Sequence, residues 1–434
     1  MNPKNRMQSY LVFWLSQSAS QLGSSMTGFA LMIWTYQQTD SAMAVSLLTF
    51  FSYLPYIIVS ILAGAFVDTH QKKSIMLWTD SIAAICSLFV IVRLFSDGLQ
   101  IWQIYLANLV TGLMNAFQNP AATVAVGLLV PKEKYIKVSG LNSFSNSVIT
   151  VATPMLAAFT SSFWGLGGVL CIDLATFCCA LLVLLLLIQI PEKHLKGRGL
   201  KRNNILRGCE EGFAFLVKHK GLLYVIFSMA LLNFFSRLTY ENILPAMILA
   251  RSGGDNNVLG LVSGILGFGG IAGGLIVSTL KTPRSNIKMM YLAAGFSFLF
   301  GDLLMGIGQN VLVWLLAALA ASIPIPFISA GQNVLMYNTV PQEMQGRVFA
   351  VRNSMQCFTI PIGTLLGGAL ADYVFEPFMQ SASASSHILQ QLVGAGKGSG
   401  MAVMFLCTGI LGFISSICFY RSKQIRFALK THKI

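Results

Sequence analysis

Charge is what this sequence has least of. Only 10% of its 434 residues are Asp, Glu, Lys or Arg, against roughly a quarter in soluble domains, which excludes an ordinary soluble enzyme. Ten-residue stretches of alternating polarity are missing, which excludes a transmembrane β-barrel. The five histidines (His70, His194, His219, His387 and His432) lie in loops, tails or span ends. No Ser/His/Asp set is evident, and none of the eight cysteines has metal-ligand spacing. The expectation is therefore no enzyme, no cofactor, no metal and no disulfide. The phosphate-cradling pattern G-x-x-x-x-G-K-[ST] does not occur, which excludes ATP-driven chemistry by this chain alone. Acidic residues are half as common as basic ones, 15 against 29, for a net charge of +14. In a soluble protein that excess points to nucleic acid. Here the basic residues flank apolar runs, so no nucleic-acid partner is expected and the charge reads as membrane topology.

Apolar residues make up the balance, at 55% of the chain and a mean hydropathy of +0.69. A membrane span needs roughly 20 apolar residues. Twelve spans are expected at about 8–36, 43–67, 74–95, 101–127, 135–162, 166–190, 220–250, 256–280, 286–307, 310–337, 343–375 and 399–420. The fold class is thus an all-α integral membrane protein in two six-helix halves, residues 1–190 and 220–434. The first apolar run is too long for a signal-peptide core and reads as an uncleaved span. Lys and Arg crowd one set of loops, including Lys72, Lys73, Lys132, Lys193 and Arg284, while the opposite loops hold only Arg251 and Lys397. Both termini and a central loop at 191–219 are therefore expected on the cytoplasmic side of the cell membrane. Within that loop, Ile205 to Val217 suits a short amphipathic helix. A small-residue-rich outer insert at 376–398 is expected to be partly ordered at best. The segments from Leu129 and Thr339 align Pro131 with Pro341, Glu133 with Glu343 and Lys137 with Arg347 at a constant offset of 210 residues. Repeated halves are a common transporter design.

Polar side chains in hydrocarbon cost free energy unless they face protein or water. Asn and Gln concentrate on a few spans: Gln17 and Gln21; Asn108, Asn115, Gln118 and Asn119; Asn142 and Asn146; Asn233; Gln332 and Asn333; Asn353 and Gln356. Gln17/Gln21 and Asn115/Asn119 share a helix face at i,i+4. The pattern suggests a substrate cavity, with interhelical hydrogen bonding as the other reading. Arg237 and Glu241 lie i,i+4 in span 7. They read either as a cavity pair, in which Glu241 takes a proton or a cationic substrate, or as a self-neutralising ion pair. Asp173 has no basic neighbour in sequence, and burial favours the protonated form that a proton carrier needs. Its other reading is a hydrogen-bonded structural acid. Asp80 lies near the cytoplasmic end of span 3 and is expected to be structural or gating, with Arg352 as a partner. Asp302 and Arg93 are expected at the interface. Span 8 carries seven glycines, among them Gly260/Gly264 and Gly270/Gly274, which allow close helix packing.

The loop after span 2 reads Gly64-Ala-Phe-Val-Asp68-Thr-His-Gln-Lys72-Lys73. It resembles the loop 2–3 signature of the major facilitator superfamily, G-x-x-x-D-[RK]-x-G-[RK]-[RK], with Thr69 and Gln71 departing from the pattern. The stretches "SQSASQLGSSMTGFALMIWTYQQTD", "FQNPAATVAVGLLVP" and "GRVFAVRNSMQCFTIPIGTLLGGALAD" look like the superfamily's macrolide-efflux and enterobactin-exporter branch. The resemblance implies a cavity lined mainly by spans 1, 4, 7 and 10, and a usually monomeric exporter. It implies that Asp68 meets the start of span 11 near Arg347, and that Lys72 and Lys73 hold cytoplasmic carboxylates such as Glu133 as part of a gate that includes Glu343. The span 5 sequence Thr153-Pro154-Met-Leu-Ala157-Ala158 matches the drug-antiporter pattern G-P-x-x-G-G only in part. The expected activity is export of amphipathic organic molecules, drug-, macrolide- or siderophore-like, in exchange for protons. A lysophospholipid flippase or a metabolite importer of the same architecture is the alternative.

Overall fold

The computed structural model describes residues 3–96, 98–130, 134–188, 190, 202–279, 285–341, 344–381 and 383–422. Helix dominates, and no strand occurs among the described residues. In a chain this apolar, helices satisfy every backbone hydrogen bond within the segment. Nine described helical stretches are long and apolar enough to cross a membrane. The chain divides into two units, Met1–Thr39 with Leu47–Arg202, and Asp40–Ser46 with Asn203–Ile434.

The first unit holds α1 (Pro3–Thr39), most of α2 (Ala42–Thr69), α3 (Lys72–Phe95), α4 (Ile101–Leu129) and α5 (Tyr135–Leu186). The helix α5 is broken at Gly165, whose φ of 62° and ψ of −168° suit glycine alone. That break falls between the expected spans 5 and 6. Two apolar clusters hold the unit, one around Tyr10, Met76, Ala125 and Leu184, the other around Ala30, Ile104, Val169 and Leu170. Gly23 lets α1 approach α5, because a Cβ there would stand 3.1 Å from the Asp173 backbone.

The second unit opens with α6 (Arg202–Lys218), the amphipathic segment of the central loop. Its Leu216 is buried among Val225, Ile226 and Met290, while Glu210 and Glu211 are exposed. Next come α7 (Lys220–Thr239), α8 (Ile243–Arg251), α9 (Asn256–Thr279), α10 (Asn286–Phe296), α11 (Leu303–Ile307), α12 (Val311–Ser322) and α13 (Ile325–Thr339). The unit ends with α14 (Gln345–Leu370), α15 (Glu376–Gln380), α16 (Ala384–Val393) and α17 (Ser399–Arg421).

Two expected continuous spans are interrupted. Between α7 and α8 the helix breaks at Tyr240–Asn242. Pro245 cannot donate a hydrogen bond to the carbonyl of Glu241, and its ring crowds that turn. Between α12 and α13 the break lies at Pro324, followed by Pro326. There the Ala321 carbonyl accepts the Ser297 hydroxyl at 2.7 Å. Wide π turns occupy Ser297–Asp302 and Ala371–Phe375. Such turns insert one residue and recur at functional sites.

The outer insert differs from expectation, because it is helical. Ser383 caps α16 by accepting the Ser386 amide at 3.2 Å. The Gln390 amide donates to the Met379 carbonyl at 2.7 Å, and Arg251 donates to the carbonyls of Val393 and Gly308. These bonds offset the ordering entropy that small polar residues would otherwise win.

Candidate functional site

Each unit contains a cavity built around a buried carboxyl. In the first unit a small cavity of about 90 Å³ is lined by α1, α3, α4 and α5, and Asp173 stands on it at 4% exposure. One carboxylate oxygen accepts the Ser24 hydroxyl at 2.9 Å. The other accepts Thr27 at 3.0 Å and Ser87 at 3.4 Å. Three converging donors compensate a charge that would otherwise cost several kcal/mol in an apolar setting. Asn108 lines the same cavity.

In the second unit the cavity is larger, about 410 Å³, within the range that holds a drug-sized ligand. Asn233, Arg237, Glu241, Gln332 and Gln356 line it, beside apolar Met229, Leu232, Leu266, Phe298, Ile325 and Ile328. Arg237 and Glu241 form an ion pair across the end of α7, their side chains 32% and 28% exposed. Arg237 also donates to Asn233 at 3.3 Å. The Gln356 amide donates to Gln332 at 3.2 Å, joining α14 to α13. Both helix breaks face this cavity, through Tyr240 and Glu241 on one side and Ile325 on the other. Gly273 permits the second break, since a Cβ there would fall 2.1 Å from the Ile323 carbonyl oxygen.

Asp302 is the buried carboxyl of this second cavity, at 1% exposure. Its oxygens accept Tyr240 Oη at 2.9 Å and Thr408 Oγ1 at 2.9 Å. The π turn that ends at Asp302 packs closely on α17, where Gly409 lies against the Asp302 Cβ and Gly412 against the Phe298 ring. Arg93 caps its own loop, donating to the Gly98 carbonyl at 2.7 Å.

The remaining sequence candidates are dispersed. Asp80 faces the amides of Gln17 and Gln118 within the first unit. Gln21, Asn115 and Asn119 are exposed. Asn333 accepts Arg352 at 2.8 Å, and Arg352 also bonds Asn353 and lies over the Phe349 ring. Of the gate residues, Lys73 donates to the carbonyls of Leu185 and Ile188 at 2.9 and 2.8 Å, closing the end of α5. Lys72 donates to the His70 carbonyl at 3.0 Å. Arg347 pairs with Glu211 of α6, where Gly212 lies against the Arg347 carbonyl. Glu133, Glu343 and the side chain of Asp68, together with Gly64, lie outside what the structure describes. Tyr240, Thr408 and the hydroxyls around Asp173 carried no signal in sequence, because Ser, Thr and Tyr are ordinary in spans.

Comparison with known proteins places this architecture. The sequence profile of the Major Facilitator Superfamily matches residues 13–364. Macrolide efflux protein A of Streptococcus pyogenes is 25% identical over 368 residues, 84% of this chain and 90% of that protein. The multidrug efflux pump Tap of Mycolicibacterium fortuitum is 24% identical over 366 residues, 81% of this chain and 86% of that protein. Among solved structures, the nucleoside transporter NupG superposes with a TM-score of 0.72 at 14% identity, covering 98% of this chain and all of that one.

Proposed function

The chain belongs to the Major Facilitator Superfamily, and from that premise we propose that it exports amphipathic organic molecules across the cytoplasmic membrane in exchange for protons. The observation that carries the reading is the second unit's cavity, where Met229, Leu232, Leu266, Phe298, Ile325 and Ile328 form an apolar side beside the Arg237–Glu241 pair, Asn233, Gln332 and Gln356. Such a wall accepts a greasy body, and a few fixed polar groups orient it. Efflux-named relatives over most of the chain support the direction.

We count twelve crossings: the nine apolar stretches, one more because Gly165 divides the 47-residue run Gly140–Leu186, and the more polar α1 and α4. The basic loops support cytoplasmic termini. Glu241 and Asp173 are the leading candidates for the proton site, and the cavity beside each supports that reading. Alternating access, with binding at depth in the membrane, moves the substrate.

A ligand that binds only the folded protein raises its melting temperature by mass action. Purified protein melted with erythromycin, a catecholate siderophore or tetraphenylphosphonium will show stabilisation by at least one. Glu241→Gln will reduce that ligand-induced rise, measured against the variant's own unliganded melting temperature. A melting curve indifferent to all three classes would remove the exporter reading for amphipathic cargo.

A further inference from the structure

Proton exchange requires a carboxyl that can gain and lose a proton without rebuilding its surroundings, and we propose that Asp302 is such a proton-carrying residue, gated by the hydroxyls of Tyr240 and Thr408. The inference rests on the antiport reading above and adds a residue on a different helix.

The surroundings of Asp302 are suited to two protonation states. It is 1% exposed, and no basic side chain among the described residues hydrogen-bonds to it. Each oxygen accepts a single neutral hydroxyl. Thr408 has a second acceptor in reach, the Phe405 carbonyl at 3.2 Å. A hydroxyl has one hydrogen and two lone pairs. Turned toward Asp302, Thr408 stabilises the carboxylate. Turned toward Phe405, it accepts the proton of a neutral Asp302. Both states stay hydrogen-bonded without moving a heavy atom. Around Asp173 three hydroxyls converge, one on one oxygen and two on the other.

Tyr240 links this site to the cargo. It sits in the helix break, directly before Glu241, on the turn that holds the Arg237–Glu241 pair. Cargo that displaces this pair moves the same turn and withdraws the Tyr240 hydroxyl from Asp302. With one donor fewer, the carboxylate takes a proton from a hydronium ion in the cavity, leaving a carboxylic acid and water. When Tyr240 returns, the proton passes back to cavity water.

Few other groups can compete. Arg237 and Glu241 line the same cavity. From α10, Tyr291 is engaged with Ser228. The helix α17 carries Cys407 beside Thr408, and α9, α11 and α12 hold no titratable side chain.

Infrared difference spectra of the purified, ligand-free protein, taken in pH steps, read the carboxyl directly. The wild type will show a carboxylic-acid carbonyl band that titrates, and Asp302→Asn will lack that component. Added erythromycin will change the proton count of the wild type in weakly buffered solution, and Asp302→Asn will change it at least roughly fivefold less, the scale of ordinary site coupling. Thr408→Ser will keep the wild-type pH dependence, and Thr408→Val will shift it. An Asp302→Asn spectrum and proton count equal to the wild type would overturn the proposal. Should that variant not fold, a Thr408→Val pH dependence identical to the wild type would do the same. A wild type whose proton count ignores erythromycin, the siderophore and tetraphenylphosphonium alike, while at least one of them raises its melting temperature, overturns the antiport reading instead.

Discussion

The Arg237–Glu241 pair makes a prediction whose sign depends on which partner is removed. The two charges cancel in a cavity whose remaining wall mixes apolar side chains with neutral polar ones and the Asp302 carboxyl. Glu241→Gln leaves a net positive charge, and Arg237→Met leaves a net negative one. A unit charge about 6 Å from a bound cation, at an effective dielectric near 20, contributes about 3 kcal/mol. Partial exposure of the pair and the desolvation of the ligand reduce this to about 1.4 kcal/mol, or roughly tenfold in affinity. Tetraphenylphosphonium should therefore bind roughly tenfold more weakly to Glu241→Gln and roughly tenfold more tightly to Arg237→Met. The double variant should return close to the wild type. Stability should follow the opposite logic. Either single change leaves a charge without its partner and costs about 1–2 kcal/mol, and the double change costs little. Equilibrium binding and thermal melting of the four proteins complete the cycle. Affinity shifts of the same sign in both single variants would refute the claim that the pair sets the charge of a ligand site.

Three further outcomes follow from backbone geometry. Gly165→Ala meets no atom within 4 Å, yet it must hold a φ of 62° and a ψ of −168°. It should lose about 1–3 kcal/mol from strain alone, and an unchanged melting temperature would deny the break in α5. Asp372 accepts the Ser41 hydroxyl at 2.5 Å and the amides of Ala42 and Met43 at 3.0 and 2.9 Å, a carboxylate cap on α2. Asp372→Ala should cost about 1–2 kcal/mol and Asp372→Asn less, and equal melting of the two would count against a charge-assisted cap. Gly273→Val must push α9 away from the Ile323 carbonyl, costing about 1–3 kcal/mol, whereas Gly274→Val, with open space at its Cβ, should be far milder.

The helical class was readable because apolar runs leave a membrane chain few alternatives. The break at Gly165 fell where a glycine separated two such runs. The meeting of Arg237 and Glu241 follows from their spacing alone. The interruption at Tyr240–Asn242 had a sequence signal in Pro245, outweighed by the unbroken apolar pattern around it. The partners of Asp302 were not legible, because Tyr240 and Thr408 meet it only once α17 packs on the π turn that ends there. The rings of hydroxyls around Asp173 and Asp302 were hidden for another reason. Ser and Thr cost little in a span, so their positions discriminate weakly until the helices are brought together. In the insert at 376–398, small residues suggested disorder, while Ile388, Leu389 and Leu392 already carried a helical spacing.

The most direct test of the account is transport by the purified protein in sealed proteoliposomes, with erythromycin outside and an imposed pH gradient that is acidic inside. Proton-coupled export predicts that erythromycin accumulates inside as protons leave, that collapsing the gradient with a protonophore abolishes accumulation, and that Glu241→Gln reduces it. Protein-dependent accumulation that is indifferent to the gradient would contradict proton exchange and leave only facilitated movement.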